Sequence, residues 1–209
     1  MKKTLPLFPL NLIAYPGEDL NLHIFEPRYR QLVNECLEEE KTFGIPAFIG
    51  NKMPGCGTEM HITALAKRYD DGRMDIKTKG VGVFRLLDFV NPVPGKLYAG
   101  GDVEMLPAGN SIGAHVQELM EHLRRLYQLL QTAVDFDPEQ PDFSFRIAHK
   151  IGCSLEQEYE LLTIADESER QLFLIEHLKR VTPVIADMEE TKQRIRMNGH
   201  FKNFDPLDF

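Results

Sequence analysis

The chain has 209 residues, of which 43% are hydrophobic and 27% are charged, and its formal net charge is −8. This is a globular composition, and the acidic balance disfavours a nucleic-acid partner because it repels phosphate backbones. The start, MKK, resembles the charged end of a signal peptide, but Pro6, Pro9 and Pro16 interrupt the apolar run behind it. No uncharged apolar stretch approaches the ~20 residues of a membrane span. We therefore expect a cytoplasmic protein with neither a membrane nor a nucleic-acid partner.

The beginning of the chain predicts strand, turn, strand and helix. Residues 20–25 (LNLHIF) alternate between apolar and polar side chains, which is the pattern of a half-buried strand. After Glu26-Pro27 the apolar residues recur at helical spacing, from Tyr29 to Leu37. Proline suits the first turn of a helix, because an N–H group at that position would have no partner within the helix.

The segment 58–90 carries the strongest β signal. Its two arms alternate on either side of Asp71-Gly72, a dipeptide typical of tight hairpin turns. Further strands are predicted at 43–50 and 97–106. The side chains that we expect to face inward in the first arm of the hairpin are Met60, Ile62, Ala64 and Ala66.

From Pro107 onward the pattern changes to four or five helices. Ser154 and Gln157 have the spacing of a capping box, and Thr182-Pro183 is expected to kink or restart the last helix. The predicted fold class is therefore α+β: a β-rich N-terminal subdomain, either a small barrel or packed sheets with one helix, followed by a C-terminal helical bundle. We place the subdomains at 1–107 and 108–197. The tail, 198–209, carries Phe201, Phe204 and Phe209 and is expected to be disordered or to dock.

Motifs for catalysis are missing from the sequence. The Gly-Lys pair at 95–96 lacks the glycine-rich lead-in and the hydroxyl of a phosphate-binding loop. No serine lies in a G-x-S-x-G elbow, and helix capping is the ordinary role of a serine at a predicted helix start. We therefore expect a protein that is not an enzyme and that uses no cofactor. The serines considered are Ser111, Ser144, Ser154 and Ser168.

The spacing most similar to a metal site is that of His115, Glu118 and His122, which share one helical face. It is not the H-E-x-x-H arrangement, and Glu118 four residues before His122 is an ordinary surface pair. We therefore expect no bound metal. The cysteines form no C-x-x-C pair and are expected to be reduced structural thiols; they are Cys36, Cys56 and Cys153.

Three stretches together resemble the N-terminal substrate-recognition domain of the Lon protease family. They are LPLFPLNLIAYPGEDLNLHIFEPRYRQLV (5–33), FGIPAF (43–48) and GTEMHITALAKRYDDGRMDIKTKGVGVFRLLDF (57–89). The resemblance covers residues 4–107 closely, whereas the second half is similar to the family's trailing helices only in general pattern. It implies a free-standing bacterial form of the domain, without the ATPase module and the Ser–Lys proteolytic domain of the full protease, and it carries over no catalytic residue.

The resemblance also implies structural roles for residues of the first stretch. Pro16-Gly17 would form the turn between the first two strands, and Phe25 would lie in the core. Arg28 and Arg30 would flank the helix and pair with carboxylates or backbone carbonyls.

The function predicted on this basis is non-catalytic recognition of unfolded or peptide segments of other proteins, with a protease or an ATPase as a further partner. The candidate client-contact residues are Phe8, Ile13 and Tyr15. Two alternatives stay open. One is a small-molecule-binding protein or enzyme with a pocket between the two subdomains, and the other is an oligomeric scaffold that uses the aromatic tail.

Overall fold

A computed structural model describes residues 1–107 and 111–199, with side chains up to residue 196. The phenylalanines predicted to be disordered or to dock, at 201, 204 and 209, lie outside the described residues. The strands are β1 (Lys2–Leu7), β2 (Asp19–Ile24), β3 (Phe43–Pro46), β4 (Cys56–Arg68), β5 (Met74–Leu86) and β6 (Ala99–Met105). The helices are α1 (Pro27–Glu38), α2 (Val116–Leu129), α3 (Phe143–Ile147), which leads into a 3-10 turn (Ala148–Lys150), α4 (Leu155–Thr163) and α5 (Glu167–Gly199).

The six strands form one sheet that closes into a barrel. Their order is β2-β5-β4-β3-β1-β6, and β5 also pairs with β6. Strand β4 occupies one edge of β5 along most of its length, so β2 and β6 share the other edge. Residues 74–79 of β5 pair with β2, and residues 84–86 pair with β6. The ring β5-β4-β3-β1-β6 is therefore closed, and β2 extends the sheet beside it. Of the two predicted arrangements, the structure shows the barrel.

Helix α1 packs on the sheet, and its buried side chains share one cluster with residues of β2, β3, β4 and β5. Pro27 occupies its first turn, as predicted. Its buried side chains pack against Ile24 of β2 and against Met74 and Ile76 of β5, and burial of each large apolar side chain contributes about 1.5–3 kcal/mol. They are Tyr29, Leu32, Val33 and Cys36.

Two predictions about facing are wrong. Ala64 and Ala66 are exposed, because both faces of β4 are exposed from residue 63 to residue 68 and alternation there marks no buried side. Phe25 is 61% exposed. It follows the buried Ile24 at the end of β2, and successive strand side chains point to opposite faces.

The predicted caps and turns agree with the structure better than the predicted facing of side chains does. Ser154 and Gln157 form the predicted capping box at α4. Tyr15 and Glu18 close the predicted turn at Pro16-Gly17, where Gly17 has a φ of 77°. The last helix does not restart at Pro183, since α5 runs through it as one element.

The predicted arginine contacts are confirmed. Arg28 pairs with the Glu26 carboxylate at 2.8 Å, and Arg30 donates to the backbone carbonyl of Asp71 at 2.6 Å. The second of these bonds ties α1 to the turn between β4 and β5.

The β-rich half and the helical half share one apolar core. Ile13, Tyr15 and Ala47 of the first half belong to the same buried cluster as apolar residues of α2, α3, α4 and α5. The division at residues 107 and 108 separates the strands from the later helices, but as a boundary between subdomains it stays a prediction.

A charged and aromatic contact fastens the two halves at this core. The Tyr15 hydroxyl donates to the Glu158 carbonyl at 3.0 Å, and the Tyr15 ring lies on Phe145, with centroids 4.9 Å apart. His149 bridges the Glu158 carboxylate (2.7 Å) and the Glu18 carboxylate (3.3 Å). Partial burial lowers the pKa of His149, but the two carboxylates outweigh it and raise the pKa to about 9. His149 is therefore a cation at neutral pH.

The helical half is organised around a buried ion pair between Glu167 and Arg170 at the start of α5. Both residues are at most 2% exposed, and Arg170 Nη2 lies 2.8 Å from Glu167 Oε2. The guanidinium also donates to Ser144, to Asp142 and to two carbonyls of the α4–α5 connection. Glu167 accepts further bonds from Ser144 and from the Gln171 amide. The pair thus joins α3 and the α4–α5 connection to α5.

Removing the cation from this network should be strongly destabilising. We expect Arg170→Met to lower the free energy of unfolding by about 3–5 kcal/mol, because it leaves the Glu167 carboxylate buried and unpaired. The double variant Glu167→Leu with Arg170→Met should recover a large part of that loss. Urea unfolding measures both. Arg180→Met, at an exposed position of the same helix, is the control, and an equal loss in that variant would contradict the prediction.

The His149 contact should make stability depend on pH. The pKa of His149 is raised above its ordinary value of 6.5 to about 9, so its contribution is fully present below about pH 6.5 and is lost as pH rises through about 9. We expect the difference in unfolding free energy between the wild type and His149→Gln to be larger at about pH 6 than at about pH 10. Urea unfolding at the two pH values tests this, and a difference independent of pH would refute it.

Candidate functional site

Five of the concavities on the described part of the chain have volumes of about 220 to 420 Å³. Three are lined by residues of the first half and two by residues of the second. The pocket between subdomains that a small-molecule or enzymatic function would use is not one of these five. Where the halves meet, the space is filled by the shared core around Tyr15.

One of these concavities has the character of a binding site for an apolar side chain. This apolar cleft has a volume of about 310 Å³. Aromatic, thioether and proline side chains form most of its wall, and one arginine and one asparagine lie at its border. It is lined by Pro9, Arg28, Tyr29, Phe48, Met53, Phe89 and Asn91.

Strand direction explains why these residues meet. Strand β1 runs parallel to β3, and β5 also runs parallel to β3, because both are antiparallel to β4. The chain therefore leaves β1, β3 and β5 at the same end of the sheet. Pro9 follows β1, Phe48 and Met53 follow β3, and Phe89 follows β5.

The floor of the cleft is closely packed and its walls are accessible. Tyr29 stacks on the buried Phe8, with ring centroids 3.7 Å apart, and the Arg28 guanidinium lies 4.4 Å from the centre of the Tyr29 ring. Burial raises the pKa of the Tyr29 hydroxyl, so that group stays neutral. Phe48 and Phe89, by contrast, are only half-buried. The cleft can therefore cover an apolar side chain while its base keeps its shape.

The three residues predicted to contact a client are all buried. Phe8 lies beneath the cleft, where it stacks on Tyr29. Ile13 and Tyr15 lie in the core shared with the helical half. In this conformation their side chains are not available to a client, and client contact through them stays a prediction. The cleft residues that the sequence analysis missed follow strand ends, where isolated apolar side chains carry no periodic signal.

A second concavity, also of about 310 Å³, is built around Glu35 of α1. The Glu35 carboxylate accepts hydrogen bonds from Lys96 (2.7 Å), from Gln31 (3.0 Å) and from the Tyr98 hydroxyl. The buried setting and the adjacent carboxylate raise the pKa of Tyr98, which stays a donor. Since these polar groups satisfy one another, we interpret the cluster as the anchor that holds residues 93–98 to α1.

Strand β4 offers a third surface, because residues 61–68 pair with β5 on one side and lie beyond the four-residue pairing with β3. A free edge of this kind can receive an extended peptide. Here, however, two register shifts interrupt the edge within eight residues, and bulges of this sort hinder further strand pairing. We therefore rank this edge below the apolar cleft as a client site.

The residues considered for metal binding and catalysis have other contacts. Glu118 lies 4.0 Å from His122 and 3.4 Å from Lys179. Across residues 1–107 and 111–199, no group of three or more His, Cys, Asp or Glu side chains is placed to hold a metal ion. Ser144 belongs to the buried network and Ser154 caps α4.

Within the same described segments, no helix combines the length and the apolar character needed to cross a membrane.

Comparisons with known proteins agree with the fold. Residues 4–180 match the family of the ATP-dependent protease La (LON) substrate-binding domain. A Lon N-terminal domain protein from Xanthomonas campestris has 25% identity and a TM-score of 0.66, over 83% of this chain and 97% of that chain. The N-terminal domain of a Mycobacterium avium complex Lon protease has 16% identity and a TM-score of 0.67, over 85% and 98%.

Among curated protein sequences, none matches this chain. The family match nevertheless spans most of the chain and includes all six strands apart from the first two residues of β1. The chain belongs to the family of the Lon protease substrate-binding domain.

Proposed function

We propose that this chain is a non-catalytic recognition module that binds unfolded or peptide segments of other proteins in the apolar cleft. The observation that carries the proposal is the cleft of about 310 Å³, in which half-buried Phe48, Met53 and Phe89 lie around the buried Tyr29. Membership of a substrate-binding family supports it. No chemistry beyond binding is required of any residue that lines the cleft.

The cleft suits one large apolar side chain of an extended segment. Aromatic and thioether walls adapt to different apolar shapes, since methionine is flexible and polarisable. The Asn91 amide at the border can donate to and accept from the backbone of such a segment. Burying one large apolar side chain contributes about 1.5–3 kcal/mol, so a single anchor gives weak and permissive binding. Permissive binding fits a protein that recognises many segments.

In this proposal, hydrolysis of a client belongs to other proteins. The sequence has no phosphate-binding loop and no serine in a nucleophile elbow. A protease or an ATPase would then act as a partner, and this chain would hold the client for it. The Glu35 cluster and the buried Glu167–Arg170 pair would have structural roles.

We also propose a cytoplasmic location. The three cysteines are free thiols, and two of them, Cys36 and Cys56, are buried. Desolvation raises the pKa of the Cys36 thiol to about 12, so the sulfur stays protonated and unreactive. Unpaired structural thiols of this kind are usual in a reducing compartment.

A charge in the cleft should weaken client binding without unfolding the protein. Met53 lines the cleft and is half-buried, so Met53→Asp places a carboxylate where an apolar client group would lie. We expect the affinity for a fluorescent apolar peptide, or for a reduced and carboxymethylated unfolded protein, to fall at least about tenfold. Fluorescence anisotropy measures this.

The matched control is Leu87→Asp, at a position that is 45% exposed and does not line the cleft. Its binding should equal that of the wild type, and both variants should keep the wild-type unfolding midpoint. Equal binding by Met53→Asp and the wild type, or an equal loss in the control, would refute the cleft as the client site. Absence of binding by the wild type to every probe would refute the proposed function itself.

A further inference from the structure

The second half of α5 carries an apolar seam that the rest of the described chain leaves uncovered. We define the α5 seam as Val184, Met188, Thr191 and Ile195. Val184 is 57% exposed, Met188 56% and Ile195 66%. A shallow concavity of about 420 Å³ runs along its first three residues, with Asp187 and Lys192 also in the lining. The seam lies beyond residue 180, where the family match ends.

The seam residues follow one another at intervals of four, three and four. This is the a/d spacing of a heptad repeat, which places apolar side chains along one side of a helix that pairs with another helix. The same spacing extends toward the N-terminus through Val181 and His177 to Leu174. Leu174 and His177 are buried in the body of the protein and Val181 is half-buried. The repeat thus runs from packed residues into exposed ones.

The exposed part of α5 has little to hold it in the single chain. Every residue from Glu190 to Arg196 is exposed. Pairs within the helix join Lys192 to Glu189 and Arg194 to Glu190, but exposed pairs of this kind contribute little to stability. Helices in proteins owe most of their stability to packing of an apolar face. The seam is the apolar face that this segment presents for packing.

We propose that the α5 seam pairs with the seam of a second copy of this chain, as a short parallel two-stranded coiled coil. With Met188 and Ile195 at a positions, and Val184 and Thr191 at d positions, Asp187 falls at g and Lys192 at e. In a parallel pair, each g side chain lies beside the e side chain five residues later on the other helix. Asp187 of each copy therefore faces Lys192 of the other, and the seam is complementary to itself in charge.

The same residues predict a weak, reversible dimer. The seam spans fewer than two full heptads, and Thr191 places a hydroxyl in the contact, which lowers stability. Ile195, a β-branched residue at an a position, favours two strands over three or four. Pairing of two seams would present two apolar clefts to one client, which raises the effective concentration of the second site.

Sedimentation velocity of the full chain over a wide concentration series tests the proposal. We expect a monomer–dimer equilibrium. Met188→Lys should raise the dimer dissociation constant at least about tenfold, because the change occurs twice in each dimer. Thr191→Leu should lower the constant by at least a similar factor, because it replaces the polar d residue with the usual one. Gln193→Lys is the control, since it makes the same charge change at an exposed position away from the seam.

Orientation is tested by oxidising Thr191→Cys in a Cys153→Ser background. A parallel pair places the two introduced d-position thiols together and gives a disulfide-linked dimer, whereas its absence from a dimeric sample overturns the parallel arrangement. Self-association is overturned if the wild type and Thr191→Leu both stay monomeric at every concentration. The seam is overturned as the interface if Gln193→Lys raises the dimer dissociation constant as much as Met188→Lys does. If a chain ending at residue 199 dimerises where the full chain does not, residues 200–209 occupy the seam, and that result also overturns the proposal.

Discussion

Closure of the barrel through the end of β5 is the constraint on which the rest of the structure depends. Strand β5 pairs with β2 along its first part and with β6 at its end. The same strand therefore closes the barrel and belongs to the part of the sheet that α1 covers. The parallel sense of β1, β3 and β5 follows from this ring. Because the ends of these strands meet, Pro9, Met53 and Phe89 are brought together from segments far apart in sequence.

The sequence predicts local structure in this protein better than it predicts burial. The turn at Pro16-Gly17, the start of α1 at Pro27 and the capping box at Ser154 depend on neighbouring residues, and the structure has all three. The exposure of a side chain depends on which other elements pack against its strand, and sequence periodicity does not identify those elements. Ala64 and Phe25 are therefore exposed where core positions were predicted.

The candidate site shows the same limit. Phe8, Ile13 and Tyr15 belong to an apolar stretch that suggested a client surface, yet all three are buried. The cleft instead uses side chains that follow strand ends, and only the strand order places them together. The family match names a substrate-binding domain without identifying the residues that bind. Strand pairing shows which apolar side chains meet at this end of the sheet, and their role in binding is our proposal.

The register shifts in β4 have a consequence for how such a protein can hold its clients safely. Unfolded segments polymerise readily on a straight strand edge, since an open ladder acts as a template for further strands. In this chain the pairing of residues 61–68 with β5 shifts register at two points, and Lys67 and Arg68 add positive charge there. In the proposed function, a client would place one apolar side chain in the cleft, while residues 61–68, which pair with the start of β5, would be unsuited to nucleating a fibril. Binding and protection against aggregation would then depend on separate parts of the surface of one small barrel.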